Sequence, residues 1–143
     1  MKDQYSRLEI LYGIYAKTIN IEALTMVDMM KKQIIPAICE YSAHLARDIS
    51  AKKAVGEFID ATPETELLVK LSTLNNKLYG MVKVLEEAVA NVPAYEAQEK
   101  AVYYRDKVFN VMQEMREIVD EIEPSIPKTI WPVPTYSDLI FNI

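Results

Sequence analysis

Apolar residues return every three or four positions along most of this chain, the spacing of one face of an α-helix. Leu8, Leu11, Tyr12, Tyr15 and Ile19 mark a short first helix over about 3–17. A second, over about 21–55, opens with Asn20 as a candidate N-cap, whose side chain can accept a backbone N–H. Its stripe is Ala23, Val27, Met30, Ile34, Ile38, Tyr41, Leu45 and Ile49. Pro36 lies inside that stripe. It donates no backbone N–H and its ring crowds the preceding turn, so a kink is expected there, with the periodicity resuming in phase beyond it.

Thr62-Pro63-Glu64 is a start signal: a capping hydroxyl, proline at the first helical position, then acid in the first turn. The third helix, over 63–91, carries Leu67, Leu71, Leu74, Leu78, Met81, Leu85 and Ala88 in alternating steps of four and three, a heptad seam. Pro93 marks a break and a new first turn. The fourth helix, over about 94–123, repeats the rhythm with Ala101, Tyr104, Val108, Val111, Met115, Ile118 and Ile122. At 1.5 Å per residue the third and fourth helices are each roughly 42–45 Å long. Matched lengths and the tight Asn91-Val92-Pro93 connection predict an antiparallel hairpin.

The fold class expected is therefore all-α. One domain across 1–143 forms an up-down antiparallel bundle of three long helices plus a shorter N-terminal helix. An extended proline-rich strap over 124–143 closes it, because Pro124, Pro127, Pro132 and Pro134 push their preceding residues toward extended backbone. Trp131, Tyr136, Leu139, Ile140 and Phe141 are too apolar for a free tail. The strap can cover the bundle or a neighbouring domain. Alternatively, Trp131-Pro132-Val133-Pro134 can serve as a ligand for an aromatic groove.

Composition sharpens this. Glycine is scarce, with three in the chain, which argues against β-rich folds and Rossmann-type phosphate loops, since hairpins and such loops need positive φ. The net charge of −5 is uneven: residues 1–62 carry eight basic and eight acidic side chains, and 63–143 carry eight and thirteen. No basic stripe exists, which argues against nucleic acid as a partner. Cys39 is the only cysteine, so no intrachain disulfide forms, as suits a reducing cytoplasm. No apolar run approaches the roughly 18 residues that span a bilayer, and the N-terminus lacks a signal-peptide core. A cytoplasmic chain with no membrane partner is expected.

Little chemistry is in view. His44 is the only histidine, with Glu40 four residues before it. Di-iron bundles need paired Glu-x-x-His motifs and further carboxylates, so a surface or capping histidine is the expectation. Cys39 and His44 lie roughly 140° apart around one helix and cannot form a nucleophile–base pair; a buried structural cysteine is expected. Glu86, Glu87 and the acids from Glu114 to Glu123 flank the seams and read as solvated faces, as does Lys31-Lys32. No P-loop, nucleophile elbow or metal-cysteine spacing occurs. The expected catalytic, cofactor-binding and metal residues are none.

Several stretches carry a resemblance: Arg7 to Tyr12 (RLEILY), Lys17 to Met26 (KTINIEALTM) and Ile34 to Ala37 (IIPA). So do Tyr104-Arg105, Val108, Met112, Met115-Arg116, Val119-Asp120 and Glu123, closing on Trp131 to Phe141 (WPVPTYSDLIF). In this order they resemble the C-terminal region of type III glutamine synthetases. The resemblance implies a C-terminal piece of a longer enzyme that makes glutamine from glutamate, ammonia and ATP with divalent metal, Mg or Mn. It implies that metal and substrate ligands lie in upstream domains, leaving no cofactor in this fragment. The implied partners are the upstream catalytic domains and neighbouring subunits of a ring-shaped homo-oligomer. Trp131, Pro132, Pro134, Tyr136, Leu139, Ile140 and Phe141 are the expected docking or interface residues, with Trp131 on the fragment's own helices and Leu139 to Phe141 serving assembly. A free-standing helical adaptor that binds a peptide or partner helix is the alternative.

Overall fold

The computed structural model describes residues 2–134, and every element among them is helical. Helix α1 spans Lys2–Met29, a π-helical turn spans Met30–Ile34, and α2 spans Ile35–Val55. After a loop come α3 (Thr62–Ala90), α4 (Ala97–Tyr103), a second π-helical turn (Tyr104–Phe109) and α5 (Asn110–Ile122). A 3-10 turn, Glu123–Ser125, follows. The chain divides into two compact units. One comprises 1–29 with 80–117, the other 30–79 with 118–143.

The first departure from expectation is the absence of a break at 17–21. Helix α1 runs through Asn20, which is no N-cap; its side-chain oxygen instead accepts a hydrogen bond from the Tyr104 hydroxyl at 3.3 Å. Lys17 to Ile21 contains no Gly or Pro, so nothing there forces the helix to end. The short N-terminal helix is thus the opening of a longer one. Its stripe is corrected too: Ile19 is buried, Tyr12 and Tyr15 are half-buried, and Leu8 and Leu11 are exposed.

Pro36 has its effect one turn earlier than its own position. It stands in the first turn of α2, directly after the π-helical turn. Proline cannot donate to the carbonyl four residues back, and its ring would crowd that group. A π turn widens the helix there and lets the chain continue. The stripe survives: Ala23, Val27, Met30, Ile34, Ile38 and Leu45 are buried.

In the first unit, α1 lies along α4 and the π turn after it. Ala16, Ile19, Ala23 and Val27 are buried on α1, and Ala101, Tyr104 and Val108 on the opposing run. The small side chains at 16, 23 and 101 let the backbones approach. Burial pushes the Tyr104 phenol above its ordinary pKa, and the neighbouring Tyr103 adds to the shift. Tyr103 donates to the Ala88 carbonyl at 2.6 Å, tying the end of α3 to the start of the next run. That run begins at Ala97, not at 94. The Tyr95 N–H turns back to the Pro93 carbonyl at 2.8 Å, a bond outside any helix, and the Tyr95 ring lies 6.3 Å from Tyr103. The stripe departs from expectation at one position only. Met112 is buried where Val111 was expected, and Val111 is half-buried.

In the second unit, α2 ends at Val55 and α3 begins at Thr62, close to the expected bounds. Lys52 near the end of α2 pairs with Glu64 in the first turn of α3 at 2.6 Å. The cap of α3 differs from expectation. Asp60 accepts both the Thr62 backbone N–H (2.8 Å) and the Thr62 hydroxyl (2.5 Å), so that hydroxyl is a donor and not the cap. These two bonds hold the Asp60 carboxyl below its ordinary pKa. Along α3, whose residues from Gly80 onward belong to the first unit, Leu71, Leu78, Val82 and Leu85 are buried, and the alternate seam positions Leu67, Leu74, Met81 and Ala88 are half-buried.

Leu78 is fully buried, so Leu78→Ala should lower stability by about 2–5 kcal/mol. A urea titration measures this, and an unchanged midpoint would disprove the register of α3. Asp60 has a depressed folded pKa, so its contribution is present above the unfolded value and fades as pH falls through the folded one. The stability difference between wild type and Asp60→Ala should hold at neutral pH and shrink below roughly pH 4. A difference that is independent of pH would show that the charged form contributes nothing.

Candidate functional site

Three places on the chain bear on function: the tail, the lone Cys and His, and an apolar groove beside α1. The described part of the tail is less extended than its prolines imply. Pro124 sits in the 3-10 turn, and Ile126 donates to the Glu123 carbonyl at 3.3 Å. The Pro127 carbonyl then accepts from both Ile130 (2.9 Å) and Trp131 (3.0 Å). Prolines supply acceptors without donors, and neighbouring N–H groups turn back to meet them. Ile126 and Trp131 are buried, Trp131 to 7% exposure, whereas Pro132 and Pro134 are exposed. The indole Nε1 of Trp131 is buried with no hydrogen-bond partner among the described residues. Tyr136, Leu139, Ile140 and Phe141 lie outside the described residues.

Cys39 corrects an expectation: it is exposed, not buried. It lies on the side of α2 away from the Ile38 and Leu45 stripe, and its sulfur accepts from the Asn75 amide at 3.4 Å. His44 is on the surface, 3.5 Å from Asp48 and stacked 6.2 Å from the Tyr41 ring. The two residues make no shared site. Glu87, Glu114, Glu117, Asp120 and Glu121 face solvent, while Glu86 and Glu123 are half-buried. Among the described residues no three of His, Cys, Asp and Glu come close enough to hold a metal ion. No helix among them is long and apolar enough to cross a membrane.

The groove escaped the reading of the sequence. Ile21, Met26 and Met29 of α1 form one wall, and Phe109 and Met112 form the other, with Glu22 and Arg116 among the polar residues lining it. Its open volume is about 430 Å³. Thioethers and an aromatic ring make a surface that adapts to an apolar guest. Ile21 belongs to a row of exposed aliphatic residues on α1 that includes Ile10, Ile14 and Leu24. The signal was present in the spacing of those four residues, but it lay across the supposed break at Asn20.

The comparisons with known proteins point one way. Residues 2–53 match the family described as the glutamine synthetase C-terminal domain. The chain is similar to a glutamine synthetase of Butyrivibrio fibrisolvens, at 32% identity over 97% of this chain and 20% of that protein. A type-3 glutamine synthetase of Dictyostelium discoideum aligns at 25% identity over 95% of this chain and 19% of its own. A glutamine synthetase of Bacteroides fragilis aligns at 27% identity over the same shares, 95% and 19%. The chain spans about a fifth of the length of these curated relatives. No solved structure matches it.

Burial of Trp131 has a direct spectroscopic consequence. Its fluorescence should be blue-shifted and poorly quenched by acrylamide in the folded chain, and should move to the solvated position on unfolding. A solvated emission from the native chain would contradict the packing of residues 126–131.

Proposed function

We propose, for a chain that belongs to the glutamine synthetase C-terminal domain family, that it is the helical structural and assembly domain of a type III enzyme. The parent makes glutamine from glutamate, ammonia and ATP in the cytoplasm, and this domain braces it without contributing catalytic residues. The observation that carries the reading is one of proportion. Similarity to the Butyrivibrio enzyme runs over 97% of this chain yet takes in 20% of that protein. A module shared almost end to end, and small beside its relatives, fits a part and not a whole catalyst.

Glutamine synthesis by the parent is expected to use ATP and a divalent metal, Mg or Mn. The described residues of this chain do not fit such an ion, because no three ligating side chains converge. In this reading Trp131, Pro132, Pro134, Tyr136, Leu139, Ile140 and Phe141 are the docking residues, and their partners are the upstream catalytic domains or a neighbouring subunit of a ring.

The test has two arms. The isolated chain should neither hydrolyse ATP nor form glutamine, and ligase activity from contaminant-free material would refute the absence of a catalytic site. Removing residues 139–143 from the full-length enzyme should shift it toward smaller species in size-exclusion chromatography with light scattering, while helix content is kept. Full assembly after that deletion would remove the assembly role.

A further inference from the structure

Helix α1 carries apolar residues on two sides. Ala16, Ile19, Ala23 and Val27 form its buried face. Ile10, Ile14, Ile21 and Leu24 fall within an arc of about 80° on roughly the opposite side, at 3.6 residues per turn. They are 61%, 56%, 64% and 54% exposed. Single exposed aliphatic residues are ordinary, but four in register on one helix form a patch of the kind that marks an interaction surface.

We infer that this outer face of α1 is where the catalytic body of the parent chain docks, through an apolar surface that also presents a carboxylate to Lys17. The inference rests on the reading of the chain as part of a longer ligase. Two observations select this occupant. The first is the gradient of exposure along the helix. From Ser6 to Leu11 every side chain is exposed, and the first buried one among the described side chains is Ala16. The uncovered end is therefore the N-terminal one, the side from which a catalytic body would enter in a family described as a C-terminal domain. Such relatives have about four-fifths of their length outside the matched region.

The second observation disfavours another copy of the chain. A two-fold contact between identical patches pairs residue i with j and j with i. Two α1 helices packed antiparallel on this face would set Ile10 against Leu24 and Ile14 against Ile21. The axis would then pass through Lys17, which lies midway and on the same arc, and bring two ammonium groups together. Like charges facing each other across an interface act against that partner. A partner carrying Asp or Glu at that point has no such conflict.

The experiment is a thiol-accessibility measurement on the full-length enzyme. Cys39 is exposed and is first replaced by Ser to remove its background. Ile14→Cys, Ile21→Cys and, as an exposed control, Phe58→Cys are then introduced singly and labelled with a maleimide. All three sites are exposed in the chain alone, so the substitutions should be tolerated. Expected is labelling at positions 14 and 21 on the order of tenfold slower than at 58, because a docked face must open before it reacts. Equal rates at all three sites would overturn the inference while leaving the domain reading intact. Protection that disappears on dilution to a monomer, with the catalytic body still attached, would also overturn it, because the cover would then be another subunit. A reading frame that encodes no catalytic region before this chain would defeat the domain reading itself.

Discussion

Continuity of one long helical run through a proline is the constraint on which the rest of the structure depends. Residues 2–55 stay helical because the π turn at Met30–Ile34 takes up the backbone conflict that Pro36 creates. Had the chain broken there, the stripe from Ala23 to Leu45 would have split into two short faces, each too small to hold a helix by packing. Helices of this length owe most of their stability to a buried face. The widened turn keeps Met30 and Ile34 buried with the others, so the irregularity preserves the pattern it interrupts.

Most of the helical framework was legible in the sequence. The start near Thr62, the end near Gly56 and the buried residues Leu71, Leu78, Leu85, Val108, Met115, Ile118 and Ile122 follow from caps and periodicity alone. What was not legible depends on contacts distant in sequence or on hydrogen bonds that spacing does not encode. Asn20 resembles a cap, yet its partner is Tyr104, and only tertiary structure brings the two together. Met112 is buried where Val111 was expected, and the spacing admits either residue between Val108 and Met115. Cys39 illustrates a composition rule failing at a single site. Its type favours burial, but its place beside Ile38 on α2 puts it on the outer side.

The candidate site was legible in one half. Trp131 stood out in the sequence as a large aromatic among prolines, and the structure buries it, although its indole N–H gains no partner among the described residues. Tryptophan usually satisfies that donor when buried. A group of this size is held by apolar burial worth roughly 1.5–3 kcal/mol, which can exceed the cost of one unmet hydrogen bond. The outer face of α1 was hidden for a different reason. Assigning each helix one apolar stripe accounts for a surface helix that meets a single core, and the second stripe then reads as noise.

That second stripe is what separates a self-sufficient domain from a module. Side chains of the buried stripe, Ala16, Ile19, Ala23 and Val27, already give α1 the packing it needs against α4. The opposite row adds nothing to that packing and leaves half of each aliphatic side chain in water. Apolar surface in water is unfavourable by about 25 cal/mol per Å², so such a row lowers solubility unless something covers it. Lys17, in the middle of the row, limits what can do so: a cover that is apolar throughout would strand its charge, whereas one bearing a carboxylate would not. The same four aliphatic residues and one lysine thus specify a partner's surface more narrowly than hydrophobicity alone would.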